Sequence, residues 1–283
     1  MPCQDVHTIP NLNGSVTGIA LLNDRLYFSH TGNPRLAFCC PATFQFLRYL
    51  DCYCPACKNQ TGIFQCKCYK EIKFVPRLQH IVACNIKNCI YVAVQKGYNY
   101  IFKVALDQNN TLSSWTVVGS PSRTCGLSIT SSHNLLFASD GVNSLHEYSP
   151  DGEPIRQISL EPAGIKSTGY QGASHAVQLS DDQFGVTCGN FLIVSSDGQL
   201  VQSYPDNAIA MRRPIPRGIA VDQQGRIIVA DQCRILVIDS KLSAYPVRLT
   251  NDYQLNGPQC IHYDAASRRL YIGEDNTIVC CQL

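Results

Sequence analysis

Residues 217–231 read RGIAVDQQGRIIVAD, an apolar run at 218–221, a polar tetrapeptide at 222–225 and a second apolar run at 226–230. Gly225 can take the positive φ that a tight hairpin requires, so the tetrapeptide predicts a turn between two antiparallel strands. The β-branched run Ile227, Ile228, Val229 suits a strand buried within a sheet. A third apolar segment, RILVID at 234–239, follows directly and predicts a third strand.

The same unit recurs along the chain as GIALLNDRLYFSH (18–30), HIVACNIKNCIYVA (80–93) and GLSITSSHNLLFAS (126–139). It appears again as HAVQLSDDQFGVTC (175–188) and CIHYDAASRRLYIG (260–273). The second strand of each unit begins at Leu26, Ile90, Leu135, Phe184, Ile227 and Leu270, giving spacings of 64, 45, 49, 43 and 43 residues. A period of roughly 40–45 residues is that of a four-stranded propeller blade. A blade cannot bury both of its faces alone, so six of them must stack in a ring and close. The sixth unit ends in TIVCCQL (277–283), which reads as its third strand. Residues 4–9 are therefore expected to supply the fourth, bringing the two ends of the chain together. No sustained apolar pattern of helical period competes with this reading. The expectation is one all-β domain over residues 1–283, a six-bladed β-propeller with a cysteine-rich insertion at 51–70 in blade one.

Composition agrees. Charged residues make up 16% of the chain, against roughly a quarter in typical proteins, and there are 19 glycines and 15 prolines. Such a chain has many buried strands and tight turns and little solvated helix. The net charge of +2, with no long run of either sign, gives nucleic acid or an acidic membrane surface no global attraction. No stretch has the length and apolarity of a membrane span. The first nine residues, MPCQDVHTI, lack the basic and apolar regions of a secretory signal, which predicts a cytoplasmic protein. Sixteen cysteines and glycosylation sequons at Asn13, Asn59 and Asn109 leave an extracellular one open.

The 217–231 segment with its RILVID continuation resembles an NHL repeat, and the resemblance extends at lower fidelity over all six units. It implies a six-bladed propeller of NHL-like blades, similar to the propellers of TRIM-NHL ubiquitin ligases. The RING, B-box and coiled coil of those ligases do not occur in this sequence, so ubiquitin transfer is not implied.

In propellers the first strand of each blade lines the axial channel, and its first residues ring the entrance. Those positions are Gly18, His80, Gly126, His175, Gly218 and Cys260, preceded by Thr17, Gln79, Cys125, Ser174, Arg217 and Gln259. His80, His175 and Cys260 thus stand in alternate blades, three zinc-competent side chains around one axis. His262 lies on the same face one pleat deeper. The pattern is similar to that of a zinc-dependent amidating lyase with repeats of this kind, whose channel histidines come from alternate blades. By that resemblance His175 is the best match and His80 a weaker one. Cys260 replaces an expected histidine, and Arg217 is the candidate arginine. The bland alternative is a histidine hydrogen-bonded at a channel rim. None of the twelve ring residues is a carboxylate, which argues against an oxygen-ligated calcium site. No G-x-S-x-G elbow and no glycine-rich phosphate loop occurs.

The insertion reads DCYCPACKNQTGIFQCKCYK, with Cys54, Cys57, Cys66 and Cys68 as a candidate zinc set and Cys52 as an extra thiol. A disulfide-stapled loop and free thiols are the competing readings, and all three stay open. Cys84 and Cys89 flank a four-residue turn in blade two, placing them either as a cross-strand disulfide or as two buried thiols. For single-stranded RNA, the candidate cations are Arg212, Arg213, Arg217, Lys67, Lys70 and Lys73, beside aromatics Tyr98, Tyr100 and Phe102.

The functional expectation is a non-catalytic scaffold, binding a protein or peptide partner through the entrance face, with Arg217, His80 and His175 at its polar centre. A metal-dependent lyase or hydrolase with zinc in the channel is the alternative, followed by an RNA-binding propeller. No membrane partner is expected, and the sequence gives no oligomeric state.

Overall fold

The computed structural model describes residues 4–9, 12, 14–31, 33–43, 45–50, 52–54, 59–61, 77–96, 98–108, 110–117, 125–139, 143–164, 172–188, 190–204, 217–231, 234–239, 244–247 and 254–283. Strand β1 (Gln4–Ile9) is followed by blade one, β2 (Val16–Leu22), β3 (Arg25–His30), β4 (Asn33–Cys39) and β5 (Phe46–Tyr49). A short ribbon, β6 (Cys52–Cys54) and β7 (Asn59–Thr61), stands in the insertion. Blade two comprises β8 (Arg77–Cys84), β9 (Cys89–Lys96), β10 (Tyr98–Ala105) and β11 (Leu112–Thr116). Blade three comprises β12 (Cys125–Ile129), β13 (Leu135–Ser139), β14 (Ser144–Tyr148) and β15 (Pro154–Ser159). Blade four follows as β16 (His175–Ser180), β17 (Gln183–Thr187), β18 (Phe191–Ser195) and β19 (Leu200–Tyr204). Blade five is β20 (Gly218–Val221), β21 (Ile227–Asp231), β22 (Arg234–Ile238) and β23 (Ala244–Val247). Blade six is β24 (Cys260–Asp264), β25 (Arg269–Glu274) and β26 (Thr277–Gln282), completed by β1. The protein is an all-β six-bladed propeller of four-stranded antiparallel blades.

The 217–231 unit folds as its sequence predicts. Asp222 organises its turn by accepting from the amides of Gln224 at 2.8 Å and Arg226 at 2.9 Å, while Gly225 takes φ 71°. In blade one, Asn23 and Asp24 both adopt positive φ, the geometry of a two-residue hairpin turn whose twist matches its strands.

The core is divided among the seams between blades. Six apolar clusters occur, one at each of the six interfaces. Tyr27 and Phe38 of blade one meet Ile81 and Val92 of blade two, for instance, and Cys39 of blade one meets Tyr271 and Cys280 of blade six. Every blade therefore buries both faces. This is why inner strands such as Ile227–Asp231 are buried at every position and do not alternate apolar with polar.

The ring closes as expected from residues 4–9. Strand β1 lies antiparallel to β26, with Ile9 opposite Ile278 and His7 opposite Cys280. Asn276 secures the seam, its carbonyl accepting from the Leu12 amide at 2.9 Å and its side chain from the Gly14 amide at 2.7 Å.

Around the channel the inner strands approach in pairs. A Cβ on Gly18 would fall 2.6 Å from the Ile81 amide nitrogen, and one on Gly126 would fall 2.5 Å from the His175 Cα. One on Gly218 would meet the Ile261 nitrogen at 3.0 Å. Glycine in blades one, three and five thus admits the backbone of blades two, four and six. Hydrogen bonds from the first turns of blades one, three and five join the same pairs: Asn23 to Asn88 at 2.7 Å, the Ser131 amide to Gln178 on β16 at 2.8 Å, and Gln223 to the Ala265 carbonyl.

Candidate functional site

His80 sits near the start of β8, and His175 is the first residue of β16. Their rings meet in the channel with centroids 4.4 Å apart, tilted by 54°. Gly126, on the intervening blade, leaves room for this approach because it has no side chain to fill the gap. His80 is 7% exposed and His175 2% exposed.

Their polar atoms are largely unsatisfied. Neither ring nitrogen of His80 has a hydrogen-bond partner, and neither does Nε2 of His175. Nδ1 of His175 accepts from the Ile219 amide of blade five at 3.2 Å. An Nδ1 that accepts carries no proton, so the neutral ring of His175 bears its proton on Nε2 and presents an N–H donor. Neither nitrogen of His80 has a comparable bond, although the Leu127 backbone lies beside the ring.

Both imidazoles are held uncharged. Burial pushes His80 well below the ordinary histidine range, and the neighbouring His175 and His262 push it further. Burial lowers His175 to about 4. The Leu127 backbone, in blade three, works against the shift in both rings. His262, on β24, is likewise lowered to about 4 by burial, against the opposing influence of Asp264.

Cys260 occupies the equivalent position in blade six but does not join the imidazoles. Its short side chain turns to blade one, where Sγ donates to the Val16 carbonyl at 3.5 Å in the space left by Gly273. Burial pushes this thiol far above the range in which it would ionise. Among the described residues, no group of three or more His, Cys, Asp or Glu side chains gathers as a metal set.

The rim is polar. Arg217 is exposed and donates from its guanidinium to Gln259 Oε1. Thr17 Oγ1 donates to the Leu78 carbonyl at 2.8 Å, and Ser174 Oγ lies 2.9 Å from Thr187 Oγ1. Arg217, His80 and His175, singled out from the sequence, therefore stand at one end of the ring, the arginine outside and the imidazoles within.

Cys54 ends β6, whereas Cys57, Cys66 and Cys68 lie outside the described residues, as do Arg212, Arg213, Lys67, Lys70 and Lys73. Phe102 is buried in the seam between blades one and two, with Tyr100 half-buried beside it. Cys84 and Cys89 face each other across the β8–β9 hairpin as free, buried thiols. The Ile219 amide and Leu127 backbone, which set the state of the two imidazoles, were not anticipated. The apolar residue following each ring glycine is the one signal that marks them.

No family model matches the chain, and no curated protein is similar to it in sequence. Solved structures match it over nearly its whole length. Virginiamycin B lyase from Staphylococcus aureus superposes with a TM-score of 0.63 at 10% identity, covering 99% of each chain. A streptogramin B lyase gives 0.62 at 12% identity, covering 99% of this chain and 87% of that one. A catalytically inactive variant of the Staphylococcus aureus enzyme, solved with quinupristin, gives 0.63 at 11% identity over 99% of each chain.

These likenesses correct three expectations. The expected non-catalytic scaffold, with no enzymatic role, took this kind of ring to be a bare interaction platform. The end-to-end matches are instead to propellers that are lyases. A purely protein-binding role goes with it, as does the narrower NHL assignment, because what is shared is the six-bladed architecture and no repeat family is matched. The chain is a six-bladed propeller similar from end to end to streptogramin-type lyases in architecture.

Proposed function

We propose that this propeller is a lyase whose reaction centre is the channel pair His80 and His175. The observation that carries the reading is a buried, uncharged imidazole pair in which three nitrogens lack a well-formed hydrogen bond, with only the Leu127 backbone beside them. Buried polar atoms normally find partners, and leaving one without costs about 1–3 kcal/mol. Such atoms grouped at a channel suit a bound molecule that completes them. The likeness to lyase propellers gives the reaction class.

The tautomers divide the work. His80, whose nitrogens are tied by no well-formed hydrogen bond, is the general base that removes a proton from the carbon beside a substrate carbonyl. His175, presenting Nε2–H, is the donor to the oxygen on which negative charge develops. Burial makes His80 a weak base. It can therefore remove a proton only if the resulting anion is stabilised, and the His175 donor stands 4.4 Å from it, centroid to centroid, to do so. The leaving group then departs from the next carbon without addition of water. Arg217, Gln259 and Thr17 at the rim orient the substrate.

A channel zinc held by His80, His175 and Cys260 fits this geometry poorly. The Nδ1 lone pair of His175 is engaged by Ile219, and the Cys260 thiol faces Val16.

The test is turnover of quinupristin and of simple esters carrying a leaving group on the carbon next to an acidic C–H. Elimination gives products whose masses sum to that of the substrate, whereas hydrolysis adds one water. His80→Asn and His175→Asn are expected to lower the rate by about 10²–10⁴, with Cys260→Ser unchanged. Equal rates in wild type and His80→Asn would overturn the assignment.

A further inference from the structure

Cys84 ends β8, Cys89 opens β9, and the two are direct partners in the ladder. The four intervening residues form a turn closed by the Asn88 amide donating to the Asn85 carbonyl at 3.2 Å. Directly opposed residues on one face hold their Cβ atoms ~4.5–5.5 Å apart, so a disulfide, which spans ~3.5–4.5 Å, requires the pair to draw together by about 1 Å. Both thiols point the same way, into the apolar cluster between blades two and three, and both are buried. Each is close enough that a charge on Cys84 raises the thiol of Cys89.

The pairing is singular among the described ladders. Cys39 faces Leu26 and Phe46, Cys125 faces Ser139, and Cys260 faces Gly273. Cys280 faces His7 and Tyr271, while Cys281 faces Leu270. Among the described residues, no His, Asp or Glu joins Cys84 and Cys89 to make a metal set.

We propose that Cys84 and Cys89 form a cross-strand disulfide when the chain folds in the presence of a low-molecular-weight disulfide such as glutathione disulfide. One cysteine thiolate attacks a sulfur of the glutathione disulfide, breaking its S–S bond and releasing one glutathione thiolate. The second cysteine thiolate then attacks the mixed disulfide, forming the Cys84–Cys89 bond and releasing the second glutathione. The two cysteines are oxidised, one glutathione disulfide is reduced to two thiols, and the two cysteine protons end on those thiols. Burial of both sulfurs means that exchange runs while the hairpin is open. In the closed blade the bond is shielded from reductant. It pins the far end of the strand that carries His80, and the Tyr91 hydroxyl next to Cys89 keeps its 3.1 Å bond to the Pro150 carbonyl. The inference is independent of the lyase reading.

The full chain, made by cell-free synthesis with either a glutathione redox mixture or dithiothreitol, is alkylated and digested with trypsin. Cleavage after Lys87 separates peptides 78–87 and 88–96, each with one cysteine. The glutathione sample is expected to yield these two peptides as a linked pair, absent from the reduced sample. Its Tm should exceed that of the reduced protein by roughly 2–4 °C. The Cys84→Ser/Cys89→Ser double variant should lose the linked pair and the part of the shift that belongs to it. Recovery of both peptides separately alkylated, or linked to other cysteines, from the glutathione sample would overturn the proposal.

Discussion

The amide of Ile219 donates to Nδ1 of His175 across the seam between blades four and five, over 3.2 Å. One backbone group of a neighbouring blade thereby sets the tautomer of a channel histidine. The backbone beside His80 is that of Leu127 in blade three, which makes no well-aligned bond to either ring nitrogen. Two chemically identical side chains thus acquire different capacities from their surroundings.

Nitrogen-15 NMR of the imidazoles checks this division. At pH 7 His175 is expected to show an unprotonated Nδ1 and a protonated Nε2, with no imidazolium signal until the pH approaches 4. A His175 ring protonated on Nδ1 at neutral pH would contradict the assignment.

Stability should fall in mild acid. An unfolded imidazole titrates near 6.5, whereas His175 and His262 are lowered to about 4 in the fold. Between these values the unfolded chain binds protons that the native chain does not. The part of the unfolding free energy that belongs to these two rings therefore drops as pH falls from about 6.5 to about 4 and levels off below. For His175 the gap corresponds to on the order of 3 kcal/mol. Urea midpoints measured at several pH values should show a shallower acid slope in His175→Gln than in wild type. An unchanged slope would rule out His175 as a contributor.

Gly126 and Gly225 separate crowding from backbone strain. A Cβ at Gly126 would lie 2.5 Å from the His175 Cα and 2.6 Å from the Ser174 carbonyl oxygen, both backbone atoms that cannot swing aside. Gly126→Ala is expected to cost about 3 kcal/mol or more, at the upper end for overpacking. Gly225 has φ 71° and open space around it, so Gly225→Ala should cost only ~1 kcal/mol. Denaturant unfolding of the two variants gives the comparison, and equal costs would refute the crowding argument.

Blade two clasps the β14–β15 turn of blade three by apolar contact more than by charge. Lys103 pairs with Asp151 at 2.7 Å, but the aspartate side chain is 76% exposed, so Asp151→Asn should cost under about 1 kcal/mol. Gly152, with φ 96°, lies under the Trp115 ring, where a Cβ would come within 2.6 Å. Gly152→Ala should exceed Asp151→Asn severalfold in loss of unfolding free energy. The reverse order would place the clasp in the ion pair.

Much of this was legible in the sequence because it depends on local pattern. The turn at 222–225, the repeat of two apolar runs and the completion of blade six by residues 4–9 all follow from strand and turn chemistry. The ring positions also showed histidine in blades two and four. What could not be read was the length and aim of each side chain: His80 and His175 reach one another, while Cys260 stops at Val16. The partner of His175 was hidden for a simpler reason. It is a backbone amide, and every residue except proline has one. The expectation of a non-catalytic scaffold was overturned by the likeness to lyase propellers, a likeness of architecture at 10–12% identity that no local pattern in the sequence carries.

Strand β26 lies between β25 and β1, so the sixth blade is woven from both ends of the chain. Residues 4–9 leave the ribosome before any of the six blades and must wait for 277–282 to find their partner. Until 277–282 arrive, the earlier blades form only an open arc with bare edges at either end. Pairing Ile9 with Ile278 closes a loop of nearly the full chain length, the kind of contact that forms late and slowly. Before that moment chaperones have an exposed edge to hold, and a second unfinished chain has one to invade.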